Sequence, residues 1–414
     1  MYIGIYTEEK KMKSIRDVYK IGKGPSSSHT MGPERAAKLF LKKYPAADRY
    51  RVVLYASLSK TGRGHGTDRV LYEVLGKERT EVLFSDDSPA DLPHPNTLDF
   101  FAYAGEEQLG TMRVQSIGGG DIIVDGEDTT ADEEIYPENS FAEIEQFCRW
   151  RYISLSEYVE LNEGPGIWNF LAEVWTSMKQ AIDDGLNAEG ILPGGLQLER
   201  KAKRLYAQEK EHELPQIREL RMVCSYAFAI AEQNADNGTI VTAPTCGSAG
   251  VLPSVLLYMQ KRHDIPDRRV LEALAVAGLF GSLVKRNASI SGAECGCQAE
   301  IGTACSMAAA ALCTLMGRSI SETEYAAEIA MEHQLGLTCD PICGLVQIPC
   351  IERNAVAAKR ALDAFNLSSF LCGTRNISFD MVVRTMKETG IHISDQYRET
   401  SEGGLARLYN RRMV

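Results

Sequence analysis

Basic charge is in short supply in this chain of 414 residues: 45 lysines and arginines stand against 56 aspartates and glutamates, a net charge of −11. That is the wrong sign for a protein that grips phosphate backbones or anionic lipid, so neither nucleic acid nor a membrane is expected as a partner. Long apolar runs are missing too. The longest, Val270 to Val284, is interrupted by Glu272 and flanked by Arg268, Arg269, Lys285 and Arg286. A bilayer demands about 20 apolar residues, so this run reads as a buried helix of a soluble protein. The opening residues, MYIGIYTEEKKMKSIRD, turn acidic and basic too early to build the apolar core of an export signal, and a cytoplasmic location is expected. Internal repeats and low-complexity tracts are absent, and the acidic stretch from Asp125 to Glu134 reads as a solvated surface loop.

Cysteine is nearly missing from the first half and abundant in the second: ten of 11 lie beyond residue 220. In a reducing compartment these thiols stay free, and most pack as small hydrophobes. Three have a different setting. Cys297 stands in Gly-Cys-Gln-Ala-Glu, Cys339 in Leu-Thr-Cys-Asp-Pro and Cys350 in Gln-Ile-Pro-Cys-Ile-Glu-Arg-Asn. Glycine and proline beside a thiol mark turns, where a side chain and the neighbouring amides can face an ion together. The spacing is neither the paired CxxC of a zinc ribbon nor the tight run of a ferredoxin, so by itself it leaves packing and metal binding both open.

Two halves differ in texture. Up to about residue 155, short β-rich runs (Arg51 to Tyr55, Glu81 to Phe84, Asp121 to Val124) alternate with glycine and proline turns and one helical stretch from Glu34 to Lys43. From Ile167 onward, Ile167, Phe170, Leu171, Val174, Met178 and Ile182 recur at helical spacing, and further helices are expected over 220–235, 270–284, 303–315 and 323–334. Residues 136–166 between them are mixed and polar. The expected architecture is an α+β N-terminal domain (1–155) followed by an all-α C-terminal domain (165–414), with an active site at their interface.

The stretch GLTCDPICGLVQIPCIERNAVAA, residues 336–358, resembles the signature of the iron-sulfur L-serine dehydratases. So do Ala288 to Glu294 leading into Gly296-Cys-Gln, Thr242 to Pro253, Gly24 to Pro33, Thr61 to Asp68, His94-Pro-Asn96, Ser116 to Gly120 and Tyr397 to Leu405. The likeness runs in collinear order along almost the whole chain. It implies a single-chain form in which Cys297, Cys339 and Cys350 hold a four-iron, four-sulfur cluster with one iron left open as a Lewis acid. It further implies L-serine as substrate, pyruvate and ammonia as products, no pyridoxal phosphate, and a homodimer. Two thiols depart from the pattern: Cys295 and Cys343 stand where apolar or small residues are expected, either packed or competing for the open iron. Some relatives end in a cysteine that folds back into the site, whereas this chain ends in Arg-Arg-Met-Val, so a self-ligating tail is not expected.

Of seven histidines, His29, His65 and His94 sit among Gly, Pro, Ser, Thr and Asn, the composition of loops. An imidazole presented on a loop suits proton transfer near neutral pH. By resemblance the three line the substrate cleft, with His65 favoured as the base that takes the α-proton and His29 or His94 as alternatives. Ser26, Ser27 and Ser28 precede the helix expected from Glu34, where hydroxyls and amides attract a carboxylate, although an N-cap needs just one of them. Thr30, Thr61 and Asn96 complete the substrate-binding positions that the motifs imply. Gly118 to Gly120 and Thr245 to Gly250 offer anion-wrapping glycines that serve equally well as plain turns.

Competing readings remain open at this point. A pyridoxal-phosphate dehydratase needs a Schiff-base lysine, for which Lys285 is a thin candidate. A cluster-based redox sensor needs a partner module, and no basic patch or recognition helix is visible. The same fold and cluster acting on L-threonine or L-cysteine differs only in pocket shape around the β-carbon.

Overall fold

The computed structural model describes residues 12–87, 89, 92–126 and 134–410. An α+β region comes first. Its five-stranded sheet runs in the order Thr80–Phe84, Arg49–Leu54, Thr97–Ala104, Glu107–Gly118, Asp121–Val124; the first pair is parallel and the rest antiparallel. Alternation decides which face is covered: Tyr50, Val52 and Leu54 point inward with Leu98, Phe100, Met112 and Val114. Ala36, Ala37 and Phe40 of the helix Gly32–Lys43 and Leu71 and Leu75 of Thr67–Leu75 close that core. Gly118, Gly119 and Gly120 all take positive φ (97°, 59° and 82°), making the tight turn between the last two strands.

The rest is mostly helical. Its central member is Thr303–Leu315, TACSMAAAALCTL, in which every residue except Thr314 is buried. A helix apolar all round belongs inside a bundle, and its alanines let neighbours come close on every side. Around it pack Val251–His263, Asp267–Asn287, Ile320–Glu332 and Cys350–Leu371. The apolar run read as a buried helix is that: Val270, Leu274, Phe280 and Val284 are fully buried. Among the described residues, no helix is long and apolar enough to cross a membrane.

The polar connection, residues 136–166, forms two helices, Phe141–Arg151 and Leu155–Glu163. Each opens on a capping box, Ser140 with Glu143 and Ser154 with Glu157, a Ser-x-x-Glu signal present in the sequence. The polar residues face solvent while Phe141, Ile144, Tyr158 and Val159 enter the helical core. The N-terminal segment joins that core as well. Met12–Lys13 pairs with Glu134–Tyr136, Ile21–Lys23 pairs with Thr239–Val241, and Ile15, Val18 and Tyr19 lie buried against the helices. The chain is thereby stitched across its length, and His29, expected on a loop, lies instead in a helical turn, Ser27–Met31, that runs directly into Gly32–Lys43.

One ionic node reinforces this seam. Asp121, at the start of the last sheet strand, pairs with Lys20 of the N-terminal segment, Lys285 of the helix Asp267–Asn287 and Arg35 at 3.3 Å. Lys285, considered above as a Schiff-base candidate, is engaged here.

Candidate active site

The three singled-out cysteines converge. Cys297 follows Gly296, whose φ of +72° lets the chain pass so close to Leu337 that a Cβ would stand 2.8 Å from its carbonyl. Gln298 then pins the turn: its amide donates to the Cys295 carbonyl at 2.9 Å, and its side-chain oxygen accepts from the Gly336 N–H at 2.9 Å. Cys339 lies on an extended segment whose N–H donates to the Tyr397 carbonyl (2.7 Å) and whose carbonyl accepts from the Glu399 N–H (2.8 Å). Cys350 opens the helix Cys350–Leu371. One turn on, Asn354 clamps the Thr245–Gly250 loop to this helix: it donates to the Gly247 carbonyl (2.8 Å) and accepts from the Gly250 N–H (3.0 Å).

The N-terminal region reaches the same place. A Cβ on Gly64 would meet the Gly344 carbonyl at 2.6 Å, so only a bare backbone lets the His65 loop settle on the loop between Cys339 and Cys350. Ser26, His65, Gly247, Cys297, Glu300, Cys339, Cys350 and Glu399 line one small buried cavity. Two tight sets of ligating atoms stand in or beside it. Sγ of Cys297, Sγ of Cys339 and a carboxylate oxygen of Glu300 lie within 4.8 Å of one another, as do ring nitrogens of His29 and His65 and a carboxylate oxygen of Glu399.

Charge is arranged unevenly here. The Cys297 thiol is lowered to about 6, first by the hydrogen bond from the Cys339 thiol and then by the Arg353 guanidinium, against burial. Cys339 is pushed up by that same hydrogen bond and by burial, and Cys350 by burial and the neighbouring Cys297. Glu300 is pushed up to about 8 by burial and by Cys297, and Glu399 well above the usual carboxylate range by burial and by Glu300.

The three loop histidines differ in what they have left to give. His29 Nδ1 lies 2.9 Å from Ser28 Oγ and its Nε2 3.1 Å from Ser57 Oγ, so both nitrogens are engaged. In His94, Nδ1 accepts from the Asn96 N–H (3.0 Å), which leaves Nε2 to donate to Glu294 at 3.1 Å. His65 is fully buried, and neither of its nitrogens has a hydrogen-bond partner among the described residues. Its Nε2 is 4.0 Å from Glu399 Oε1, and burial lowers it to about 3.

The remaining sequence-derived positions scatter around this centre. Ser26 lines the cavity while its hydroxyl accepts from the His29 N–H at 3.1 Å, and Ser28 holds the His29 ring. Ser27 is buried in the same turn. Thr30 donates to the His65 carbonyl (2.8 Å) and Thr61 to the Ser57 carbonyl (2.9 Å), so both hydroxyls are spent on backbone. Asn96 donates to the Ser116 carbonyl at 3.3 Å and, with His94, belongs to a separate cluster around Glu294 and Ser289. Cys295 is buried, its sulfur where a Cβ on Gly390 would collide at 2.5 Å, whereas Cys343 is exposed. The structure adds Glu300, Arg353 and Glu399. Arg353 stands three positions after Cys350, the spacing that stacks two side chains on one face of an α-helix, and Glu300 three positions after Cys297 in the wider turn Gln298–Gly302.

Residues 120–406 match the serine dehydratase alpha chain and residues 14–86 the serine dehydratase beta chain. An L-serine dehydratase of Streptomyces coelicolor is 39% identical across 95% of this chain and 98% of its own length. L-serine dehydratase TdcG of Escherichia coli is 38% identical across 95% and 99%, and an L-serine dehydratase of Haemophilus influenzae 37% across 95% and 99%. The thiol-lined cavity thus lies in a chain that belongs to the serine dehydratase family, with the beta-chain and alpha-chain regions joined in one polypeptide.

Proposed function

We propose that this chain is an L-serine dehydratase, forming pyruvate and ammonia, and that Cys297, Cys339 and Cys350 hold a four-iron, four-sulfur cluster. The observation that carries the reading is the meeting on one cavity of Cys297, Cys339 and Cys350 with a buried imidazole that has no hydrogen-bond partner among the described residues. The donor set fits the group. Thiolates are the usual protein ligands of such clusters, three of them leave one iron without a thiolate, and the cationic Arg353 offsets the negative charge they gather. Polar atoms without a partner among the described residues, both His65 nitrogens and Glu399 Oε2, point to a site built for polar occupants beyond the chain itself.

When bound, the cluster supplies a Lewis-acidic iron that eases the departure of hydroxide from the β-carbon. The residues do the rest. His65, whose two nitrogens have no hydrogen-bond partner among the described residues, is free to accept the α-proton, while His29 and His94 are engaged as positioning groups by Ser28, Ser57, Asn96 and Glu294. Ser26 offers a hydroxyl to the substrate carboxylate. Enclosure between the His65 loop and the Cys339–Cys350 loop excludes bulk water while the proton moves. The aminoacrylate released then tautomerises and hydrolyses to pyruvate and ammonia without further help.

Anaerobic reconstitution with iron and sulfide, followed by a pyruvate assay on L-serine, tests this. The wild-type protein is expected to become brown and active, and Cys339→Ala to lose colour and turnover together. A Cys339→Ala protein that stays brown and active would remove Cys339 from the ligand set. Iron-free wild-type protein that still deaminates serine would overturn the reading.

A further inference from the structure

Glu300 stands among the thiols with no part in the steps above. We infer that its carboxylate is the fourth protein ligand of the cluster in the resting enzyme, bound to the iron that the three cysteines leave without a thiolate and displaced when substrate arrives. This rests on the proposed cluster.

The geometry singles out Glu300 in three ways. Its carboxylate oxygen, not the sulfur of Cys350, completes the close set with Cys297 and Cys339. The two carboxyl groups of the cavity wall are divided between different neighbours: Glu399 stands with the ring nitrogens of His29 and His65, and Glu300 with the sulfurs. And the place of the Glu300 carboxylate is cradled by bare backbone. A Cβ on Gly292 would lie 2.8 Å from Glu300 Oε2 and 3.4 Å from Cys339 Sγ, and one on Gly247 would lie 3.4 Å from Glu300 Oε1.

Local structure explains why the carboxylate arrives there. Cys297 caps the wide π-type turn Gln298–Gly302 that holds Glu300 and runs into the helix Thr303–Leu315, and this turn brings the Cys297 sulfur and a Glu300 carboxylate oxygen within 4.8 Å of each other. The alternative is a structural acid held by the Thr245 hydroxyl, which bonds to it. Chemically, carboxylate oxygen binds iron more weakly than thiolate does, so it can protect the exposed iron and still give way. In the exchange one iron–oxygen bond to Glu300 breaks and one to the substrate carboxylate forms; no electron moves, and one anionic donor replaces another.

The test compares wild type, Glu300→Gln and Glu300→Asp, each reconstituted anaerobically, with iron and sulfide content measured and folding checked by circular dichroism. Ferricyanide then strips the least protected iron, and EPR follows the paramagnetic three-iron product. Glu300→Gln is expected to form that product about tenfold faster than wild type. Glu300→Asp, a carboxylate one methylene short, is expected between them, and it carries the comparison if the glutamine variant does not fold. Equal rates in proteins that all assemble a full cluster would overturn the inference and leave the cluster standing. A wild-type protein that assembles no cluster would bring down the proposed function and this inference with it.

Discussion

Replacing His65 with glutamine is expected to cut kcat by about 10²–10⁴-fold while cluster content stays at the wild-type level. The size follows from the isolation of this ring. Both nitrogens lack a hydrogen-bond partner among the described residues, the His29 ring centroid is 4.5 Å away, and Glu399 Oε1 is 4.0 Å from Nε2. The nearest alternative imidazole is not a ready substitute, because His29 is engaged by two hydroxyls. Parallel measurement of kcat and iron content decides the matter, and a fully active glutamine variant would remove His65 from proton transfer. Stability carries a second signature. The folded-state His65 is lowered to about 3 and His29 lies well below 6.5, both chiefly through burial, whereas an unfolded chain protonates both near 6.5. Only the unfolded state then takes up these protons, so their contribution is intact above pH 6.5 and declines as pH falls from 6.5 toward 3. The glutamine variant is expected to show a shallower acid decline in denaturant titrations.

Asp121→Asn is expected to destabilise the protein by about 3–5 kcal/mol, the usual result of removing one partner from a buried ionic group. Burial alone would raise the Asp121 carboxyl, yet Lys285 and Lys20 outweigh it and bring it down to about 2. Asparagine keeps the shape and discards the charge, leaving two mostly buried ammonium groups facing each other. Lys20 is lowered by burial already, and Lys285 adds repulsion. Because Asp121 joins the sheet, the N-terminal segment and the helix Asp267–Asn287, the loss is expected to lower the urea midpoint of the whole chain. Adding Lys285→Met to Asp121→Asn should recover part of the loss. If the single variant unfolds at the wild-type midpoint, the node contributes nothing to holding the seam.

Much of the scaffold was legible before any coordinates. Helices at 167–187, 267–287 and 303–315 follow from apolar spacing, and the strands at 49–54, 80–84 and 121–124 from β-branched runs. The two helices inside residues 136–166 escaped because their exposed faces dominate the composition; their Ser-x-x-Glu caps were the signal to follow. The hairpin Thr97–Ala104 with Glu107–Gly118 also went unread, its strands blurred by glycine and charged residues. At the site, Cys297, Cys339 and Cys350 stood out because glycine and proline mark their turns. Glu300, Arg353 and Glu399 did not, since an acidic or basic side chain on a helical turn or a polar tail is ordinarily solvated.

By itself, then, the sequence determined the α+β to helical order of the chain, its acidic balance, and which thiols and histidines stand apart from core packing as candidates, because these depend on periodicity and local composition. Only the tertiary structure decided which of those groups meet, which histidine keeps its nitrogens unpaired and which carboxyl groups are buried. Those outcomes depend on close approach between segments far apart in the chain, as where Gly64 rests on Gly344 and Cys339 pairs with Glu399. A charge acquires its protonation state from what surrounds it, and that surrounding exists only in the fold.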